Sequence, residues 1–414
     1  MANTFNVSSL VSKGVVAPLH AEGKLVNTCG TRYKKDFLQT NYTPGLTLSV
    51  NKGPQFQVTS GRVANVQNVE YAKVSVTIVQ YNEAISLTSI EQSYSMNSEE
   101  DMMALGQDMG RRMLREVERI GFQSITNAVG NYVGSPGSEP GSMRLFARGQ
   151  AFMDDALAPD ADRYVALNPL GQAELWDSLK ALPNPGAEIS NQYLRGQLKN
   201  GLGMNWYATP SIYRSTMGSA TNSTPLTNGT TANGATTLDV DGLSAATATI
   251  KAGTKFTLGV AGTSTAVYAV DPETKAQLPY LKMFTVTADA TGASSEITAL
   301  AISPTIYDST SQHQNVSQLP PNNCEVTLLL GSVSSTNTYA ANAIYQKDAV
   351  QLIALPLAAA HQKGTHEFSE FNGIPIRVGI GAWDAINDSE ILRVDSCFAW
   401  VITRPDHCCI VPGA

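Results

Sequence analysis

The sequence predicts an α+β protein in which an all-β, barrel-like domain interrupts a mixed α/β domain. Three observations lead there. A long charged helix is written over residues 98–129, and alternating β segments precede it from residue 45. A threonine-rich stretch opens near residue 215, breaks into short β strings up to about residue 330, and then yields to the mixed pattern again. With 414 residues the chain holds two or three structural units at roughly 100–200 residues each.

Residues 1–44 have no sustained period and include Gly14, Gly23 and Gly30, which predicts an extended arm with at most one short helix, packed on something else. From Gly45 to Thr88 the pattern alternates: LTLSV at 46–50, QFQV at 55–58 and VSVTIV at 74–79, punctuated by Lys52-Gly53-Pro54 and Ser60-Gly61. These are the marks of long hairpin strands. A two-stranded excursion is marginal alone and needs a neighbour.

The segment SMNSEEDMMALGQDMGRRMLREVERIGFQSITNAVGNY carries the strongest helical signal, with Met102, Leu105, Met109, Met113, Val117, Ile120 and Ala128 at steps of three and four. Asn97 or Ser98 can cap the first turn, and Glu99, Glu100 and Asp101 suit the positive end of the helix dipole. At ~1.5 Å per residue the helix is a strut roughly 48 Å long. Asp108 to Arg112 and Arg112 to Glu116 are spaced for i,i+4 pairing on its outer face. Ten charged residues fall between Glu99 and Arg119, so that face reads as solvated. Gly106, Gly110 and Gly121 each weaken a helix interior by ~1 kcal/mol relative to alanine. They mark candidate flex points, or places that another backbone approaches closely.

After the loop GSPGSEPGS at 134–142, residues 143–210 read as mixed α/β, with RYVALNP a buried strand and PLGQAELWDSLKAL a helix begun by Asn168-Pro169. Fourteen of the fifty-two residues from Ser215 to Ala266 are threonine, which ends the helical signal. TTLDV, TATIK, KFTLG, AVYAV, FTVTA, ITALA and EVTLLL then read as seven short strands of a small sandwich or barrel. From Tyr339 the mixed pattern resumes with DAVQLIALPL, the hairpin-like FSEFNGIPIRVGIGAW and SEILRVDSCFAWVITRP.

Net charge is −7 and no Lys/Arg run of five or more occurs, which excludes a basic stripe that neutralises phosphates in series. Charged residues make up 15% of the chain, against roughly 25% in average soluble proteins, so much of the surface is neutral and polar. Interface cores share that depletion, and so do secreted Thr/Ser-rich β proteins. No basic region followed by an apolar run opens the chain and no stretch of ~18 apolar residues occurs, so a cytosolic protein without membrane contact is expected. Cys29, Cys324, Cys397, Cys408 and Cys409 are odd in number and lack metal spacing, which predicts free thiols.

No catalytic template closes. LDVDGL has the opening of a calcium loop in Asp239, Asp241 and Gly242 without the closing glutamate, and fits a turn better. His361, His366 and Glu367 lack the i,i+4 spacing that sets two imidazoles on one helical face. GLGMNW at 201–206 lacks the third glycine of a dinucleotide fingerprint, and no GxxxxGK[ST] or GxSxG occurs. Cys397, within SCFAWVI, reads as a small core residue. The expectation is a non-enzyme without cofactor or metal.

The order of segments resembles that of tailed-bacteriophage major capsid proteins of the Hong Kong ninety-seven fold, specifically the branch of phage P-twenty-two and its short-tailed relatives, whose subunits carry an insertion domain. YAKVSVTIVQYNEAISLTSIEQ at 71–92 leading into the helix, TTLDVDGLSAATATIKAGTKFTLGV through KMFTVTADATGASSEITALAISPTIYD, and FNGIPIRVGIGAWD through FAWVITRPDHCCIVPGA carry the likeness from about residue 45 to the end. The resemblance implies an N-terminal arm at 1–44, an E-loop at 45–75, a peripheral domain at 76–142 with a spine helix at 98–129, an axial domain at 143–214 and 339–414, and an inserted β domain at 215–338. It implies self-assembly as hexamers and pentamers with a scaffolding protein and a portal protein, in some shells with a decoration protein. The shell would be icosahedral and enclose double-stranded DNA without sequence-specific binding. TNGTTANGATT, with Asn228, Gly229, Asn233 and Gly234, is then a candidate loop between subunits. An encapsulin-like nanocompartment shell and a Thr-rich secreted adhesin are the alternatives.

Overall fold

The computed structural model describes residues 7–31, 47–51, 73–88, 99–178, 200–220, 225–329, 338–357, 366–371, 374–381 and 383–413, with positions 56, 62 and 66. The chain divides into two compact units. One comprises Met1–Val50, Val74–Gly121 and Val350–Val401, the other Asn51–Lys73, Phe122–Ala349 and Ile402–Ala414. The helices are α1 (Val7–Glu22), α2 (Leu25–Thr28), α3 (Glu99–Ala128), α4 (Met143–Asp155) and α5 (Pro169–Ser178). The first residues of the expected E-loop form the strand Thr47–Asn51, which pairs with Lys73–Thr77. QFQV apart from Phe56, the capping positions Asn97 and Ser98, and His361 lie outside the described residues.

The first unit is built on a five-stranded sheet whose 14-residue strand Ser389–Ile402 is flanked by Ile374–Ile380 and Val79–Thr88, with His366–Phe371 beyond and Val350–Ala354 joining as well. Val394 stands in register with Val378 on one side and Glu83 on the other. Because strand side chains alternate between faces, Glu83, Val394, Phe398 and Trp400 share one face. α3 lies on that face: Arg112 pairs with Glu83 at 2.8 Å and the Trp400 indole donates to the Val117 carbonyl at 2.9 Å. α1 lies on it too, through a hydrogen bond between Ser12 and Ser369. The other face is closed at one end by Val50, Ile78, Ile353, Leu355, Cys397, Ala399 and Val401.

Two expectations change here. Within the expected arm the described residues hold a 16-residue helix, α1, and the short α2, and α1 packs on its own subunit, where Gly14 lets it settle against Gly106 of α3. The outer charges of α3 do not form the i,i+4 pairs; Arg111 and Arg119 bond Asp108 and Glu116 at i,i+3, and Arg112 turns to Glu83 on the sheet, an acceptor outside the helix. The buried arc is also wider than the predicted stripe, taking in Leu114, Glu118, Phe122 and Ile125.

The second unit holds a mixed five-stranded sheet in the order Cys408–Val411, Asn342–Gln346, Arg163–Leu167, Met204–Ala208, Asn200–Gly201. Arg163–Leu167 and Met204–Ala208 run parallel, the crossover expected of a strand–helix–strand unit through α5. The Asn168 side chain caps α5 by accepting the Gly171 amide at 2.9 Å, as Asn-Pro at a helix start allows. Phe146 of α4 meets Trp206 edge-on at 4.9 Å over the core of this sheet.

Between Thr216 and Thr338 the chain forms a six-stranded sheet in the order Val326–Leu328, Lys255–Leu258, Met283–Val286, Ile297–Ile306, Ala235–Asp241, Leu226–Thr227. Its edges meet: the Val326 amide donates to Pro225 O at 2.7 Å and the Thr227 amide to Cys324 O at 2.9 Å, which closes a barrel. Phe256 and Phe284 stack at 5.6 Å inside, among Leu238, Val240, Leu300, Ile302, Ile306 and Val326. A barrel this small is filled by side chains and has no lumen. Thr257 and Thr285 alternate with Phe256, Leu258, Phe284 and Val286 along their strands, whereas Thr230, Thr231, Thr247, Thr254, Thr263 and Thr265 lie in the connections between strands, so the composition is biased without being repetitive.

Candidate functional site

α3 is gripped at three places, and the three glycines stand at two of them. A Cβ on Gly106 would lie 2.6 Å from Val11 O, and one on Gly110 would lie 2.9 Å from Val15 Cα, so both glycines are where the α1 backbone crosses. Gly14 answers Gly106 from the other helix, with the two Cα atoms in close approach. A Cβ on Gly121 would lie 2.6 Å from Leu25 Cδ2 and 2.8 Å from the Trp400 ring. That ring reaches the helix because its N–H bonds Val117 O. One turn away Glu118, 2% exposed, accepts the Lys24 and Leu25 amides at 2.6 and 2.8 Å and so caps α2. At the far end the barrel meets the helix: Lys255 Nζ donates to Thr126 O, Val129 O and Thr285 Oγ1, and Ser303 Oγ donates to Ala128 O at 2.8 Å. Neither Glu118 nor Lys255 was singled out from the sequence, because a lone charge in a charged helix or a threonine-rich strand reads as solvated.

The loop residues are arranged differently. Asn228 Nδ2 donates to Glu296 at 2.8 Å, the Gly229 amide to Asn322 Oδ1 at 2.8 Å, and Asn233 Nδ2 to Thr310 Oγ1 at 2.8 Å. Gly229 and Gly234 turn at φ +90 and +82°, backbone that favours glycine. The loop is thus exposed, with its shape set by bonds to its own barrel.

Two exposed apolar side chains stand together on the hairpin that ends at Asp384–Asp388. Trp383 is 57% and Ile386 93% exposed. The turn beneath them is firm: Asp384 accepts the Ile386 amide at 2.9 Å and Asn387 Nδ2 at 2.7 Å, and the Trp383 indole donates to Asp388 at 3.0 Å. On the sheet face turned away from α3, Asp395 is held by Arg377 at 2.7 Å, Arg393 at 2.8 Å and Gln80 at 3.1 Å, beside exposed Phe368 and Ile391.

Among the described residues no group of three or more His, Cys, Asp or Glu could hold a metal ion. Asp239 of LDVDGL accepts the Ala299 amide at 2.7 Å, and GLGMNW is the turn between Asn200–Gly201 and Met204–Ala208. His366 and Glu367 lie on a strand. All five cysteines are free and buried, and burial pushes the thiols of Cys324 and Cys409 up to about 11 and about 12. Among the described residues no helix is long and apolar enough to cross a membrane.

Over residues 64–411 the sequence matches the family described as P22 coat protein - gene protein 5. The chain belongs to the P22 coat protein family. No curated protein sequence matches it. Similar solved structures include that of Mycobacterium phage Che8, at 10% identity and TM-score 0.46 with 94% of this chain and 91% of that one covered. The capsid of the cyanophage P-SCSP1u is similar at 11% identity and TM-score 0.40, covering 91% and 85%. A virus-like particle from Pyrococcus furiosus is similar at 8% identity and TM-score 0.42, covering 98% and 100%. As a P22-type coat protein the chain is a major capsid protein that forms a phage shell by self-assembly, and its place is the virion capsid. The role of this family is structural.

Proposed function

We propose that this coat protein builds a closed icosahedral shell of hexamers and pentamers around double-stranded DNA, assembling in the host cytoplasm on a scaffolding protein and a portal protein. It performs no catalysis. The observation that carries this reading is the family match across 64–411. In this reading residues 45–75 are the E-loop, 76–142 the peripheral domain, 143–214 and 339–414 the axial domain and 215–338 the inserted domain. The net charge of −7 suits a shell that lines DNA without gripping it. A decoration protein is a further partner of such a shell.

The loop with Asn228, Gly229, Asn233 and Gly234 is the proposed contact of the inserted domain with a neighbouring copy, supported by its exposure and its fixed shape. Gly106, Gly110 and Gly121 are the proposed flex points of the spine helix when the shell expands by rigid-body rotation. Their support is that Gly106 and Gly110 lie against the α1 backbone and Gly121 against Leu25 and Trp400 with no side chain of their own between. Electron microscopy of the purified protein, alone and with its scaffolding protein, tests the reading. Closed icosahedral particles are expected; a chain that stays monomeric under both conditions overturns it.

A further inference from the structure

α3 ends without a cap of its own. Its last turn contains no basic residue, and Gly130, placed where a left-handed cap would sit, is not among the glycines with positive φ. The last carbonyls of a helix nonetheless need donors, and a cation there is favoured by the helix dipole. The donors come from the barrel. Lys255 is in register with Thr285, and Thr285 with Ser303, so the three form one rung across adjacent strands. Phe256 and Phe284, one residue along, fill the barrel core, so the rung points outward. From that rung Lys255 Nζ reaches Thr126 O and, at 2.5 Å, Val129 O, while Thr285 Oγ1 takes its third proton at 2.8 Å; Ser303 covers Ala128 O. The donors and the carbonyls they serve are more than 120 residues apart in the chain.

We propose that the rung Lys255–Thr285–Ser303 is the C-cap of the long helix, with Lys255 and Ser303 as positioning residues, so that the inserted barrel decides where α3 stops. Lys255 is buried, and burial pushes its pKa down to about 7, so the three-donor ammonium is the form held below that pH; hydrogen-bonded in that position it holds the helix end only while the barrel wall is formed. A frayed helix end is the consequence of a barrel that has not closed.

Hydrogen exchange on the unassembled full-length subunit tests this independently of shell formation. Lys255→Met keeps the stem and removes the three donors. It is expected to speed exchange of the amides from Ile125 to Asn131 at least tenfold while Phe256, Phe284 and Leu300 keep their protection. Ser303→Ala is expected to give the same pattern at about threefold, and Ser303→Thr, which keeps the hydroxyl, to return it to the wild-type rate. Should Lys255→Met fail to fold, the serine pair decides alone. Unchanged exchange at 125–131 in Ser303→Ala, or protection lost in the barrel with the helix end intact, overturns the proposal.

Discussion

His407 shows how a single side chain ties this fold to pH. It is buried, and burial, then the neighbouring Arg404 and to a small extent Arg163, push its pKa down to about 4, against smaller upward pulls from Asp406 and from the hydrogen bond to the Ala156 backbone. The ring is therefore neutral in the folded chain at pH 6, whereas an unfolded histidine titrates near 6.5. Because the folded pKa is the lower one, the contribution of His407 to stability is constant above about pH 6.5, falls as acid protonates the unfolded chain, and levels off below about pH 4. The loss over that window is at most about 3 kcal/mol. Urea melts of the subunit at stepped pH are expected to show it, and His407→Gln to flatten the slope between pH 6.5 and 4; an equal slope in both proteins would count against this account. Nothing in the sequence marks His407, since PDHCC has no periodicity and the residues that bury it come from other segments. The same holds for Glu118 and Lys255, whose roles depend on backbone groups far along the chain. The glycines were visible as anomalies in a helix, but their cause, the α1 backbone, was not.

At the scale of elements, the crossing of α1 and α3 can be disturbed by single methyl groups. Alanine at Gly106 or Gly110 gains ~1 kcal/mol of helix propensity. Its Cβ, however, would meet Val11 O at 2.6 Å or Val15 Cα at 2.9 Å, and such overpacking costs roughly 1–3 kcal/mol. The second effect outweighs the first because the obstacle is backbone. Gly106→Ala with Gly110→Ala is expected to leave the helical circular dichroism of α3 in place while limited proteolysis within residues 7–22 quickens several-fold. Unaltered cleavage would show that the crossing has slack, and the flex-point role would then rest on shell expansion alone. Element identity was the most legible level: the helix at 98–129, the strand RYVAL, the Asn-Pro helix start and the seven strands expected between 215 and 330 all have counterparts among the described elements, five of them in the six-stranded barrel and two, Thr249–Ile250 and Tyr268–Val270, in separate two-stranded pairs. These signals are local periodicities and caps. Closure of the barrel through Pro225 and Val326 was not legible, because it joins two segments that lie a hundred residues apart.

For the whole molecule, segment order identified the architecture where no motif could. Shell subunits bury their functional surfaces against copies of themselves, so composition records only low charge, and an exposed tryptophan cannot be told from a core one. At the hairpin tip two such apolar side chains, Trp383 and Ile386, are exposed in the single subunit. Trp383 and Ile386 stand on a turn already fixed by Asp384 and Asp388, so docking them requires little ordering. Trp383→Ser with Ile386→Ser is expected to leave the subunit's melting temperature within a few degrees and to abolish closed particles in sedimentation. Particles of normal yield would remove the hairpin from the list of subunit contacts.

The five sulfhydryls give this coat protein a built-in set of timers. Each is sealed in a folded wall, with Cys29 and Cys397 in one unit and Cys324, Cys408 and Cys409 in the other, and burial keeps the last three protonated at neutral pH. An alkylating reagent therefore reacts only when the wall around a given sulfur opens, at a rate that reports that opening. Peptide mapping after timed alkylation would clock the two units separately, in free subunits and in shells, without any label being introduced.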